Sequence, residues 1–182
     1  MTKTILAINQ LDKAFAGKSV LNKLDLQLNA SQRVAILGES GCGKSTLLRI
    51  IASLESADSG TVELQNPSRC QMVFQDLGLW PSHTALQQLL MAAKASNISE
   101  PKSAAINLLE SLGIQHIADR KPANLSGGEA RRLAFARVLI CSPELILLDE
   151  AFSSLDSKSR MQGIKLLKAV LELTSAAVIM VT

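Results

Sequence analysis

The chain has 182 residues, of which 47% are hydrophobic and 19% are charged, and its formal net charge at pH 7 is +3. These values are typical of one globular domain with a sizeable core, and they exclude a strongly basic nucleic-acid-binding protein. No stretch approaches about 18 uninterrupted apolar residues, so the sequence predicts no membrane-spanning helix. Residues 1–10 lack the apolar segment of a signal peptide, and the three scattered cysteines suit a reducing compartment.

The first part of the chain alternates predicted strands with one helix. Apolar runs and period-two alternation predict five β segments before residue 75, namely residues 5–8, 24–28, 33–37, 61–64 and 69–74. Residues 33–37 form a nearly continuous apolar run, which favours a buried strand. A helix is predicted over residues 45–54.

The later part of the chain first becomes wholly helical and then returns to strands. Helices are predicted from residue 85, over residues 99–112 and from Ser126 to a point before Pro143, and apolar strands over residues 144–149 and 177–181. We therefore expect an α/β fold with a mainly parallel sheet, preceded by an amino-terminal antiparallel β region. The helical stretch at about residues 84–124 predicts a subdomain inserted into a single domain of residues 1–182.

A glycine-rich motif lies between a predicted strand and a predicted helix. Its sequence, Gly38-Glu39-Ser40-Gly41-Cys42-Gly43-Lys44-Ser45-Thr46, matches G-x-x-x-x-G-K-[ST]. Glycines let backbone N–H groups converge on phosphates, and a helix N-terminus adds unpaired donors. Lys44 supplies a charge for the outer phosphates, and the Ser45 hydroxyl can ligate Mg²⁺. The alternative is a glycine-rich turn that matches by chance. The probability of such a match in a chain of this length is on the order of one in a few hundred. The motif therefore predicts a P-loop NTPase core that binds ATP and Mg²⁺.

The apolar run of residues 145–148 ends in two carboxylates, Asp149 and Glu150. Because ligands gather at the carboxyl ends of parallel strands, Asp149 is expected beside the phosphate loop, where it can hold Mg²⁺. Glu150 is expected to polarise the water that attacks the γ-phosphate. Taken alone, two acids at the end of a strand could equally be surface residues.

The segment Leu125-Ser126-Gly127-Gly128-Glu129 precedes an amphipathic helix. Ser126 and Glu129 fit the capping box S-x-x-E, so one interpretation is simply a capped helix. Two glycines in a first turn are poor for helix stability, however. They favour a second interpretation, in which this helix N-terminus closely approaches an anion.

These motifs, in this order, resemble the ATP-binding cassette family, the nucleotide-binding subunits of ABC transporters, over nearly the whole chain. The resemblance implies that Gln75 contacts Mg²⁺, that Asp149 is the metal-binding aspartate and that Glu150 is the catalytic glutamate. Phe15 lies near the family's adenine-stacking aromatic residue, although a core role is about as well supported. The signature of one subunit, residues 126–129, would bind the γ-phosphate held by the other, and residues 153–156 resemble the loop between the two sites.

The same resemblance implies an ATPase that powers transport of a solute across a membrane. Its partners would be a transmembrane permease subunit, a second cassette in a homodimer or heterodimer, and a solute-binding protein, with no nucleic acid. We expect a cytoplasmic protein, peripheral on the inner face of the cell membrane. Residues 79–83 and the helical insert resemble the surface that receives the permease. The sequence leaves open the solute and the direction of transport.

The sequence departs from the family pattern at two places, of which the family tolerates the first and only the second bears on activity. Glu129 replaces the commoner glutamine, and the chain ends at Thr182, where the family's switch histidine is due. We therefore expect a chain truncated before that histidine, which binds ATP better than it hydrolyses it. A non-catalytic ATP-binding module stays open as the alternative. A DNA-repair or chromosome-associated ATPase is disfavoured, because no heptads follow the phosphate loop.

Overall fold

The computed structural model describes residues 3–151 and 157–182, and within the second range the side chains of residues 161 and 163–182. The chain divides into two compact units. The first comprises Met1–Met72, Glu144–Glu150 and Ser175–Thr182, and the second comprises Val73–Pro143 and Ala151–Thr174. The elements, in chain order, are β1 (Thr4–Phe15), β2 (Lys18–Asn29), β3 (Arg33–Ile36), α1 (Lys44–Ile51), β4 (Ser59–Leu64), β5 (Cys70–Val73), α2 (Ala85–Ala95), α3 (Pro101–Ser111), α4 (Gly127–Leu139), β6 (Leu145–Asp149), α5 (Ser157–Glu172) and β7 (Ala177–Val181).

The first unit contains the amino-terminal antiparallel β region. Three strands pair in the order β2-β1-β4, and both pairings of β1 are antiparallel. A two-residue turn joins β1 to β2, and both its residues, Ala16 and Gly17, have positive φ angles, of 49° and 80°. Such turns match the twist of the strands that they connect. Leu6, Ile8 and Leu11 of β1 are buried.

A second sheet has the strand order β3-β7-β6-β5. The strand β7 pairs in parallel with both β3 and β6, with Val34 and Leu147 each opposite Ile179. All five residues of β6 are buried, as its continuous apolar run predicts. The prediction of a buried strand is wrong for β3, because β3 lies at the edge of this sheet and exposes Arg33 and Ala35.

Helices build the second unit. Thr84 caps α2 through a capping box with Gln87, Pro101 begins α3, and Gly113 follows α3 with a φ of 66°. Fully buried apolar side chains of α2, α3 and α4 form its core, namely Leu89, Leu109, Leu133 and Phe135. None of the helices in the described part of the chain has both the length and the apolar character that crossing a membrane requires. The α/β class is confirmed, whereas a separate subdomain over residues 84–124 stays a prediction.

Candidate functional site

The loop between β3 and α1 ends at Gly43, the N-cap of α1, whose φ angle is 102°. No side chain caps this helix, and no acidic residue lies in its first turn. The first N–H groups of an α-helix have no intrahelical partner, and the helix dipole places a partial positive charge there. This end of α1 is therefore suited to an anion.

Packing within the first unit requires glycine at Gly43. A Cβ atom there would lie 2.7 Å from both Cγ1 and the backbone oxygen of Val20. At Gly38, a Cβ atom would lie 2.9 Å from Sγ of Cys42. Packing against the backbone of Val20 thus requires glycine at Gly43, whereas at Gly38 the nearest atom belongs to a side chain.

Lys44 places its charge inside this loop. Its side chain is buried, and Nζ donates hydrogen bonds to the backbone oxygens of Gly38 at 2.7 Å and Glu39 at 2.9 Å. The remaining loop residues, Ser40, Gly41 and Cys42, are exposed, and Thr46 is half-buried in α1. An ammonium group that faces backbone oxygens within a loop can turn to phosphate oxygens over a short distance.

The structure brings Ser45 and Asp149 into direct contact. The Ser45 hydroxyl donates to Oδ1 of Asp149 at 2.6 Å, although the two residues are 104 positions apart. Asp149 is the last residue of β6 and is only 4% exposed. A hydroxyl and a carboxylate side by side are two oxygen ligands of the kind that Mg²⁺ prefers.

No group of three or more His, Cys, Asp or Glu side chains that could hold a metal ion occurs among the described residues. A metal ion at Ser45 and Asp149 would therefore need further ligands from elsewhere. Mg²⁺ in phosphate sites is commonly held in this way, by one or two carboxylates together with substrate phosphates and water. The residues present fit Mg²⁺ bound together with a nucleotide.

Glu150 follows β6 and has an unusual backbone conformation. Its φ angle is 44°, and its N–H group donates to the backbone oxygen of Val181 at 3.3 Å. A positive φ is uncommon for a residue other than glycine, and such conformations cluster at functional sites. The side chain is half-buried. Its catalytic role stays a prediction.

Phe15 ends β1 and is 46% exposed. Nζ of Lys13 lies 4.9 Å from the centroid of its ring, a distance typical of a cation–π contact. Lys13 is itself buried and forms an ion pair with Glu55 at 2.9 Å. The ring is thus fixed at the surface rather than in the core, and adenine stacking stays a prediction.

The predicted signature begins α4 in the second unit. Ser126 is the N-cap, and its capping box with Glu129 is formed in both directions. Gly127 and Gly128 are exposed, and a Cβ atom at either position would meet nothing within 4 Å. The packing of the chain itself therefore does not require these glycines.

Sequence reasoning missed one interaction at this helix end. Oε1 of Glu129 lies 2.8 Å from Nε2 of His116 and 4.0 Å from Arg120. Hydrogen bonds from Ser126, and then from His116, lower the pKa of Glu129 to about 2. Residues 13 positions apart show no local pattern that could have predicted this contact.

Gln75 lies exposed in a turn that follows β5. The segment after it is held by Arg137, which donates hydrogen bonds to the backbone oxygens of Leu77 and Gly78 and packs 5.2 Å from the Trp80 ring. The fully buried Gln88 accepts the N–H group of Trp80 at 3.1 Å. The segment that begins two positions after Gln75 is therefore fixed by side chains.

The first unit thus brings together Lys44, Ser45 and Asp149, whereas Gln75 and residues 126–129 lie in the second unit. A metal-binding role for Gln75 and a phosphate-binding role for residues 126–129 stay predictions. Residues 153–156, which resemble the loop between two sites, lie outside the described residues.

The comparisons with known proteins agree on one family. The family described as ABC transporter matches residues 21–153. The aliphatic sulfonates import ATP-binding protein SsuB 2 of Streptomyces avermitilis is 38% identical over the whole chain, which covers 72% of that protein. The spermidine/putrescine import ATP-binding protein PotA of Photobacterium profundum is 36% identical over 88% of the chain, which covers 46% of that protein.

Among solved structures, cbiO1 from Clostridium perfringens, part of the ABC transporter complex cbiONQ, has a TM-score of 0.84 at 26% identity. That match covers 99% of the present chain and 78% of cbiO1. The chain thus spans between about half and four fifths of these three proteins. With its phosphate loop, its buried aspartate and its glycine-bearing helix N-terminus, the chain belongs to the ABC transporter family, as one of its ATP-binding subunits.

Proposed function

We propose that this chain binds ATP with Mg²⁺ and hydrolyses it as one half of a cassette dimer that drives a membrane permease. The observation that carries the proposal is the 2.6 Å hydrogen bond between Ser45 and the buried Asp149, beside a buried lysine. It places a hydroxyl, a carboxylate and an ammonium group at one helix N-terminus. That combination suits a nucleotide triphosphate bound with a divalent cation.

Each residue of the phosphate loop has a defined task in this proposal. The backbone N–H groups of residues 38–43 bind phosphate oxygens, and Lys44 turns from the carbonyls of Gly38 and Glu39 to the outer phosphates. Ser45 and Asp149 hold Mg²⁺, which neutralises developing charge on the phosphates when bound. Phe15 offers its exposed ring to the adenine.

Glu150 acts as the general base in this proposal. Its carboxylate would orient the attacking water and accept its proton. Gln75 would add a ligand to Mg²⁺, and residues 126–129 of a second cassette, identical or different, would bind the γ-phosphate. The exposed glycines of α4, which the chain's own packing does not require, support this assignment.

The proposal also places the chain on the cytoplasmic face of the cell membrane, bound to a permease subunit. The relatives are named as import proteins for sulfonates and for spermidine and putrescine, and cbiO1 is part of a transporter complex. These relatives support an importer with a solute-binding protein. Sulfonates are anions and polyamines are cations, yet this chain is about equally similar to the import proteins for both. Its similarity to these proteins therefore does not identify the solute. We assign residues 79–83, which include Trp80, and residues 84–124 to the permease-binding surface of a single cassette domain.

Calorimetric titration with Mg-ATP tests the binding site. We expect Lys44→Ala to lose about 100-fold in affinity, because charged hydrogen bonds contribute about 1.5–3 kcal/mol each. Lys94→Ala, which removes an exposed lysine at the end of α2, is the matched control and should bind as the parent does. Unchanged affinity in a folded Lys44→Ala protein would contradict the phosphate-loop assignment.

Steady-state phosphate release separates the ATPase from a non-catalytic ATP-binding module. We expect turnover that depends on Mg²⁺ and is lost in Glu150→Gln. Tight binding of ATP without turnover, also in the presence of the permease, would instead support the non-catalytic module.

A further inference from the structure

The carboxylate of Glu129 uses its two oxygens for different contacts. Oε2 accepts the backbone N–H group of Ser126 at 2.8 Å and its hydroxyl at 2.7 Å. Oε1 faces His116 at 2.8 Å and Arg120 at 4.0 Å. An ionised carboxylate only accepts hydrogen bonds, so Nε2 of His116 carries the hydrogen in this contact.

This arrangement puts a negative charge in the first turn of α4. Gly127 and Gly128, which are exposed, belong to the same turn, and the proposed function assigns their N–H groups to a phosphate. A carboxylate beside that phosphate repels it, whereas the neutral amide of a glutamine at this position would not. The chain therefore needs a way to offset the charge of Glu129.

His116 and Arg120 are placed to do so. His116 lies in a short 3₁₀ turn, Gln115–Ile117, which the fully buried side chains of Ile114 and Ile117 anchor in the second unit. Arg120 follows three residues later, and its backbone N–H group donates to the oxygen of Ile117 at 2.8 Å. Both side chains thus approach Glu129 from an anchored segment.

We propose that His116 is a positioning residue, which together with Arg120 offsets the charge of Glu129 and holds its carboxylate on the Ser126 side, so that α4 can receive a phosphate. This inference rests on the proposed function. His116 does not touch the phosphate in this arrangement; it acts through Glu129. The contribution of His116 to nucleotide-dependent association should therefore disappear when the charge of Glu129 is removed.

A double-mutant cycle tests this dependence. The parent, His116→Ala, Glu129→Gln and the double variant are compared by sedimentation velocity with Mg²⁺ and the non-hydrolysable analogue AMP-PNP. We expect His116→Ala to weaken nucleotide-dependent association about tenfold in the parent and less than about twofold in the Glu129→Gln background. Binding of the analogue to dilute, monomeric protein should change less than about twofold in every variant, because Lys44 and Ser45 are untouched.

The outcomes separate this inference from the proposed function. A parent that neither associates with AMP-PNP nor hydrolyses ATP overturns the proposed function and, with it, this inference. A parent that associates, with an equal loss from His116→Ala in both backgrounds, overturns the inference alone, because a merely structural histidine would act in this way. If His116→Ala does not fold, His116→Asn enters the same cycle.

Discussion

Two helices of this chain begin at glycines, and the two beginnings are built differently. At α1, no side chain caps the helix, and Gly43 lies where a Cβ atom would meet Val20 at 2.7 Å. At α4, a capping box closes the helix, and neither Gly127 nor Gly128 has an atom within 4 Å of a Cβ position. Of these two helix beginnings, only that of α1 requires glycine for packing within the chain.

The difference indicates what each helix end binds. The end of α1 lies beside a lysine, a hydroxyl and a carboxylate of the same unit, so this chain's own residues supply the groups that the proposed function assigns to a phosphate and its cation. At the end of α4, the capping box pairs the N–H groups of Ser126 and Glu129, and the two glycines leave space that the chain's own packing does not fill. Under the proposed function, the first site binds the nucleotide and the second serves a partner cassette.

The largest expected effect concerns Glu150, which directly follows Asp149 of the first site in the sequence. Glu150→Gln should lower kcat by about 10²–10⁴-fold, since it removes the general base. ATP affinity should persist, because Lys44 and Ser45 remain. Phosphate release and size-exclusion chromatography with Mg-ATP measure turnover and the accumulated dimer. Glu110→Gln, on an exposed position of α3, is the matched control, and parental turnover in Glu150→Gln would exclude this residue as the base.

The second prediction tests the packing at α1. Gly43→Ala should lower the free energy of unfolding by about 2–4 kcal/mol, because alanine is strained at a φ of 102° and its methyl group would clash with Val20. Gly41→Ala, where φ is 80° and nothing lies within 4 Å, should lose only about 1–2 kcal/mol. Urea denaturation measures both values. Equal losses would show that the contact with Val20 relaxes.

The third prediction tests the opposite case at α4. Gly127→Ala should leave the free energy of unfolding unchanged or raise it by up to about 1 kcal/mol, since alanine favours a helix over glycine. The added methyl group should nevertheless weaken nucleotide-dependent association, because it would occupy the space left for the phosphate. Urea denaturation and sedimentation velocity measure the two effects. A variant that associates as the parent does would contradict a phosphate-binding role for the end of α4.

The smallest expected effect concerns how the stability contribution of Glu129 changes at acidic pH. Hydrogen bonds from Ser126 and His116 lower the pKa of Glu129 from its usual 4.5 to about 2. A lowered folded-state pKa stabilises the fold above pH 4.5, and this contribution is lost as the pH falls toward 2. The stability difference between the parent and Glu129→Gln should therefore narrow from pH 5 to pH 2, as followed by urea denaturation at each pH. A constant difference would show that the carboxylate charge does not stabilise the helix end.

Much of the fold could be predicted because its signals are local. The capping box at Ser126 and Glu129 is confirmed, since capping depends only on residues within one turn. The strand over Ala177–Val181 and the helix that begins at Pro101 also follow from short patterns. Helix α5 was not predicted, and β1 extends well beyond the apolar run at residues 5–8. The expectation about a switch histidine beyond Thr182 stays a prediction.

The sequence by itself determined the phosphate-loop motif, the acidic end of β6 and the family. It also predicted that Asp149 lies beside the phosphate loop, because ligands gather at the carboxyl ends of parallel strands. Only the tertiary structure decided that β3 is an edge strand, that Lys13 lies over the Phe15 ring and that His116 reaches Glu129. Motifs depend on neighbours in the chain, so a sequence displays them directly. Edge exposure and contacts between distant residues depend on which elements pack together, and that choice is made only when the whole core is buried.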